Sequence, residues 1–111
     1  MKIVVLAGGL SPERNVSLST GTMVTEALRA LGHRAGLIDL YFGLETGGAD
    51  EAFFDAPVSE AYKKISREAP DLDQVRRDRK GDSPSMFGPG VLELCRMADM
   101  AVSYTHLRAH E

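Results

Sequence analysis

The sequence predicts an α/β domain, a small parallel sheet with flanking helices. Three observations carry that expectation. The run Ile3-Val4-Val5-Leu6-Ala7 is apolar throughout, without the polar alternation of a strand that has one wet face. It suits a parallel strand covered on both sides. A helical apolar repeat follows it. Arg34-Ala35-Gly36-Leu37-Ile38-Asp39-Leu40, after that, reads as a second strand. Strand, helix and strand within about forty residues make a βαβ unit with a right-handed crossover.

Each element has its own punctuation. The first strand breaks at Gly8-Gly9 and enters a polar loop. Asn15 is a good N-cap for the helix that follows; Ser11 as cap with Pro12 in the first turn is an earlier alternative. Val16, Met23, Val24, Ala27, Leu28 and Leu31 recur at helical spacing and predict one buried stripe. Gly32 supplies the stop. After the second strand, Tyr41 to Asp55 is rich in glycine and acid and reads as loop, with Phe53 and Phe54 pinning part of it to the core. Ser59 to Glu68 reads as a short helix capped by Ser59. Pro70 to Pro89 contains Arg76-Arg77-Asp78-Arg79-Lys80-Gly81-Asp82 and reads as a solvated, mobile loop. Phe87-Gly88-Pro89-Gly90 punctuates the next element. Val91, Leu92, Leu94, Cys95 and Ala98 form a second amphipathic pattern, and Ala98 to Val102 opens a third strand.

With 111 residues there is room for one modest domain with little margin in its core. A net charge of −3, with the two signs interspersed, argues against a nucleic-acid partner. Cys95 is the only cysteine, which excludes an internal disulfide and fits a reducing compartment. The opening apolar run is too short for a signal peptide, and no segment approaches the ~20 apolar residues that span a bilayer. The expected location is cytoplasmic, with no membrane partner.

The chemistry concentrates in the first loop. Gly8 and Gly9 let the backbone turn sharply and approach a ligand. Glu13 places a carboxylate near a helix N-terminus, beyond the carboxyl end of a strand, where ligands bind in open α/β sheets. Such a group suits a substrate ammonium; the bland alternative is a solvated surface charge. A dinucleotide turn would need G-x-G-x-x-G, and here no glycine follows Gly9 until Gly21. Asp39 stands in the general place of a ribose-binding acid, which alone is weak support. His106 and His110 lie four apart without a third ligand in view, so no metal site is expected.

Gly8-Gly9-Leu10-Ser11-Pro12-Glu13-Arg14-Asn15-Val16-Ser17-Leu18-Ser19-Thr20-Gly21 closely resembles the N-terminal motif of D-alanine–D-alanine ligases, roughly G-G-x-S-x-E-x-x-V-S-x-x-S/T-G. Phe87-Gly88-Pro89 and Leu92-Glu93-Leu94-Cys95 resemble versions of the family from Gram-positive anaerobes. The resemblance implies a Rossmann-like domain preceding an ATP-grasp core. It implies a parent enzyme that uses ATP and magnesium to join two D-alanines for cell-wall peptidoglycan, as a homodimer. By the same resemblance Glu13 and Ser17 are the catalytic-site residues. Glu13 meets the ammonium of the first D-alanine, and Ser17 supports it through hydrogen bonds. Gly8 and Gly9 match the turn that admits the substrate, and Gly21 lets the helix pack closely. Nothing matches the nucleotide-binding lysines, the magnesium carboxylates or the oxyanion-stabilising arginine, so the 111 residues alone are expected to bind neither ATP nor magnesium and to be inactive.

The family continues its third strand into a Leu-His-Gly-like motif, whereas here Val102 leads into Ser103-Tyr104-Thr105. His33 is not that histidine; it reads as a surface residue at the helix C-terminus. Ser103 to Glu111 resembles a translated sequencing adapter. The expectation is thus a substrate-binding domain over 1–102 and a non-native tail over 103–111. Ligases that make D-alanyl–D-lactate or D-alanyl–D-serine share the motif and remain alternatives. So do a stand-alone module that binds a small amine and, more weakly, a nucleotide-binding domain.

Overall fold

The computed structural model describes residues 1–10, 12–44, 50–58, 71–78, 88 and 90–103. β1 (Lys2–Ala7), α1 (Arg14–Ala30), β2 (Arg34–Asp39), a 3-10 turn (Glu51–Phe54), α2 (Leu72–Asp78), α3 (Val91–Met97) and β3 (Met100–Ser103) follow in chain order. The sheet runs β2-β1-β3, with both pairings parallel. Val5 lies opposite Leu37 on one side and Val102 on the other. The predicted α/β class and all three strands are present.

β1 is the central strand, paired along both edges, and a core covers each of its faces. One face carries Ile3 and Val5 with Ala35, packed with Leu28, Leu37 and Val102. The other carries Val4 and Ile38, closed by Phe54, Val91 and Leu94. The alternation of side chains along a strand thus feeds two small cores. Gly36 shows how tightly the second is built: a Cβ there would stand 2.3 Å from the Phe53 ring. That contact confirms the expected pinning of the loop by Phe53 and Phe54.

α1 departs from its predicted stripe. Arg14, Ser17, Leu18, Gly21, Thr22 and Thr25 face inward, whereas Met23 is 59% and Leu31 75% exposed, Ala27 is exposed, and Val16, Val24 and Leu28 are half-buried. The close approach is made at Gly21. A Cβ there would lie 2.9 Å from the Ala7 Cβ and 2.8 Å from Leu37 Cδ1, so the face laid on the sheet is the one that carries Gly21, with Leu18 buried on the same side. Burial of the threonines carries no unsatisfied hydroxyl, because Thr22 Oγ1 donates to the Leu18 carbonyl and Thr25 Oγ1 to the Gly21 carbonyl. The helix starts two residues before the expected place: Glu13 is the N-cap, without a side-chain capping bond, and Asn15 lies inside the first turn. At the other end Gly32 has φ +94°. Its N–H donates to the Arg29 carbonyl and that of His33 to the Leu28 carbonyl, the paired bonds of a Schellman stop.

α2 lies where a loop was expected. Asp71 Oδ1 accepts the N–H groups of Asp73 and Gln74, and Arg76–Asp73 and Gln74–Asp78 pairs line the helix surface. No residue of α2 is buried, so the solvated part of that expectation holds. Local capping and side-chain pairs favour a helix here. The expected helix at Ser59–Glu68, the cap at Ser11 and all of the 103–111 tail except Ser103, which ends β3 opposite Leu6, fall outside the described residues.

Candidate functional site at the carboxyl end of the sheet

The two ends of the sheet differ in chemistry. At the amino end, exposed ion pairs join Lys2 to Glu51 and Arg34 to Asp55. The Arg34 hydrogen bond holds the Asp55 carboxyl below its ordinary range, and the same bond raises Arg34. These contacts fasten the 3-10 turn to the strands.

The carboxyl end is built around a buried charge. β2 ends at Asp39, which is fully buried. By strand parity Asp39 falls on the same face as Leu37, beneath the first turn of α1. Its carboxylate pairs with the guanidinium of Arg14, itself only 5% exposed. Arg14 also donates to the Gly9 carbonyl at 2.9 Å, and its guanidinium lies 4.6 Å over the Phe42 ring. Asp39 Oδ1 accepts from the Gly9 N–H at 3.3 Å, the Tyr41 N–H at 2.9 Å and the Phe42 N–H at 3.4 Å. A buried carboxylate is tolerable only when paired and hydrogen-bonded, and this one has both.

The glycine turn is fastened to the same hub. Gly8 and Gly9 have φ values of +75° and +85°, in the left-handed region that glycine adopts without strain. The Gly8 N–H donates to Ser17 Oγ at 3.0 Å. A Cβ at Gly8 would meet Asp39 Oδ1 at 2.8 Å. Glu13 stands at the N-cap of α1, half-buried, and its carbonyl accepts the Ser17 N–H at 2.9 Å. The predicted residues Gly8, Gly9, Glu13 and Ser17 are therefore gathered on one edge, beyond the end of β1. Ser17 reaches Glu13 through main chain, while its hydroxyl oxygen meets Gly8.

Curated proteins resemble the chain along most of its length. The chain is 41% identical over 108 residues to a protein of Lacticaseibacillus casei named D-alanine--D-alanine ligase. It is 39% identical over 108 residues to one of the same name from Pediococcus pentosaceus. Each match covers 96% of this chain. The chain is homologous to the N-terminal part of the D-alanine–D-alanine ligases. It spans 30% of the length of the first ligase and 31% of the second. A ligase from a Synechococcus strain is 64% identical over 39 residues, 35% of this chain. No family model and no solved structure matches.

Within this ligase frame the weaker nucleotide reading loses its geometry. The Gly8 and Gly9 amides that would cradle a pyrophosphate already donate to Ser17 and Asp39. Asp39 is enclosed with Arg14 rather than presented to a ribose. Among the described residues no His, Cys, Asp and Glu side chains gather into a metal-binding group, and no helix is long and apolar enough to cross a membrane. The reading of the sequence missed the role of Arg14 and the partner of Asp39. The available signal was an acid inside the run Leu37-Ile38-Asp39-Leu40, because a carboxylate in an apolar strand needs a cation nearby.

Proposed function

We propose that this chain forms the part of an ATP-dependent D-alanine–D-alanine ligase that receives the first D-alanine, with Glu13 as the acceptor of its ammonium. The observation that carries the reading is the place of Glu13. It is a half-buried carboxylate at the N-cap of α1, one residue from a buried, ion-paired arginine and beside a glycine turn that brings main chain close to a ligand. A carboxylate accepts charge-assisted hydrogen bonds from an ammonium and offers nothing to a second carboxylate, so it orients an amino acid by its amine. Gly9 leaves the approach free of a side chain, while Gly8 makes room for Asp39 and is held by Ser17. In this reading 1–102 is the substrate domain, and the enzyme is a cytoplasmic homodimer serving peptidoglycan synthesis. ATP supplies the phosphate that activates a substrate carboxylate, with magnesium. Both belong to the part of the relatives that these 111 residues do not span.

D-Alanine titrated into the isotopically labelled chain, to roughly tens of millimolar, should shift resonances of residues 8–17 saturably. Glu13→Gln should weaken that binding about ten- to hundredfold, the worth of a charge-assisted hydrogen bond at ~1.5–3 kcal/mol. Equal affinity of the variant and the parent chain rules the reading out. A separate expectation concerns turnover: with D-alanine, ATP and magnesium, the 111 residues alone should release no phosphate above the rate without D-alanine. Phosphate release that depends on D-alanine contradicts it.

A further inference from the structure

We propose that Arg14 and Asp39 act as a positioning pair, setting the place of the Glu13 carboxylate relative to the glycine turn. The inference deepens the ammonium-binding reading of Glu13 and rests on it. Arg14 is the residue after Glu13, and its guanidinium touches three separate pieces of main chain or side chain. It donates to the Gly9 carbonyl, pairs with Asp39 and stacks over Phe42. Asp39 in turn receives the N–H groups of Gly9, Tyr41 and Phe42. One ion pair therefore joins the β1–α1 turn, the first turn of α1 and the segment leaving β2.

Stability alone does not require an ion pair there. The core beneath α1 is built from Ile3, Val5 and Ala35, and an apolar pair of similar volume replaces many buried ion pairs at no loss. Two features favour positioning. Arg14, the residue that follows Glu13, is fixed by a two-pronged, planar hold that a lysine cannot copy. The same Asp39 oxygen that receives Arg14 Nη1 also receives Gly9, so the turn and the helix start cannot shift independently. Displacing a recognition group by even about 1 Å weakens its function sharply.

The test uses the full 111-residue chain and D-alanine as the probe. Arg14→Lys keeps the charge but loses the fork and the fit to Phe42. It should bind D-alanine about tenfold more weakly while its circular dichroism stays that of the parent. The Glu13 side-chain carboxyl carbon, followed by NMR, should respond to D-alanine in the parent and much less in Arg14→Lys. A purely stabilising role leaves that response intact in any folded variant. Should Arg14→Lys fail to fold, Phe42→Leu removes only the stacking partner and should weaken binding about threefold. A folded Arg14→Lys or Phe42→Leu with parental affinity and parental Glu13 response overturns the inference, while loss of binding in Glu13→Gln keeps the ammonium reading standing. If Glu13→Gln binds as the parent does, both fall together.

Discussion

Asp39→Ala is expected to cost the fold about 3–5 kcal/mol, the usual result of removing one member of a buried ion pair. The effect comes from what remains. Arg14 would keep a charge at a site only 5% exposed to water, and the N–H groups of Gly9, Tyr41 and Phe42 would lose their shared acceptor. Domains are stable by only about 5–15 kcal/mol in total, so the variant should unfold at much lower urea than the parent. Urea titrations followed by far-ultraviolet circular dichroism measure the difference. A loss below about 1 kcal/mol would mean that the pair is far better solvated than its enclosure implies.

Gly8→Ala should be the most damaging alanine substitution in the first turn, at about 2–4 kcal/mol from left-handed strain and overpacking combined. The new methyl carbon would stand 2.8 Å from Asp39 Oδ1, and Asp39 cannot move without releasing its partners. Gly9→Ala is the internal control. It shares the positive φ, but its nearest neighbour would be Leu40 Cδ2 at 3.9 Å, so it should carry only the backbone strain of ~1–2 kcal/mol. Equal losses at the two positions, measured by the same urea titration, would refute the steric part of the argument. In the double variant with Asp39→Ala the clash is gone, and the two losses should sum to less than their separate values.

Much of this arrangement is legible in the sequence because it follows from strong local signals. The apolar run at β1, the break at Gly8-Gly9, the stop at Gly32 and Leu37-Ile38 in β2 each mark an element or its end. The orientation of α1 is not legible that way. Hydrophobic periodicity points to Met23, Ala27 and Leu31, yet the face on the sheet carries Leu18, Gly21, Thr22 and Thr25, because a Cβ at Gly21 would meet Ala7 and Leu37. Periodicity ranks residues by their dislike of water and does not register how closely one glycine lets the helix approach. α2 escaped for another reason: its helix rests on Asp71 capping and short-range pairs with no buried face, which leaves no apolar pattern to read. Glu13 was visible as a candidate through its place after a strand, and the family motif sharpened it. The Arg14–Asp39 pair was harder, since it joins residues from two elements and emerges only when β2 is laid beside β1.

The central place of β1 has a consequence for how the chain assembles. Its first neighbour, β2, arrives after one short crossover, but its second must wait until residues near 100 have been made. There Lys2 and Asp99 exchange main-chain and carboxylate hydrogen bonds at 2.8 Å. Contacts so distant along the chain slow folding, because the loop must close before any of them forms. A chain emerging from the ribosome can therefore zip the βαβ half early, while the opposite flank of its middle strand stays bare until the residues of β3 emerge.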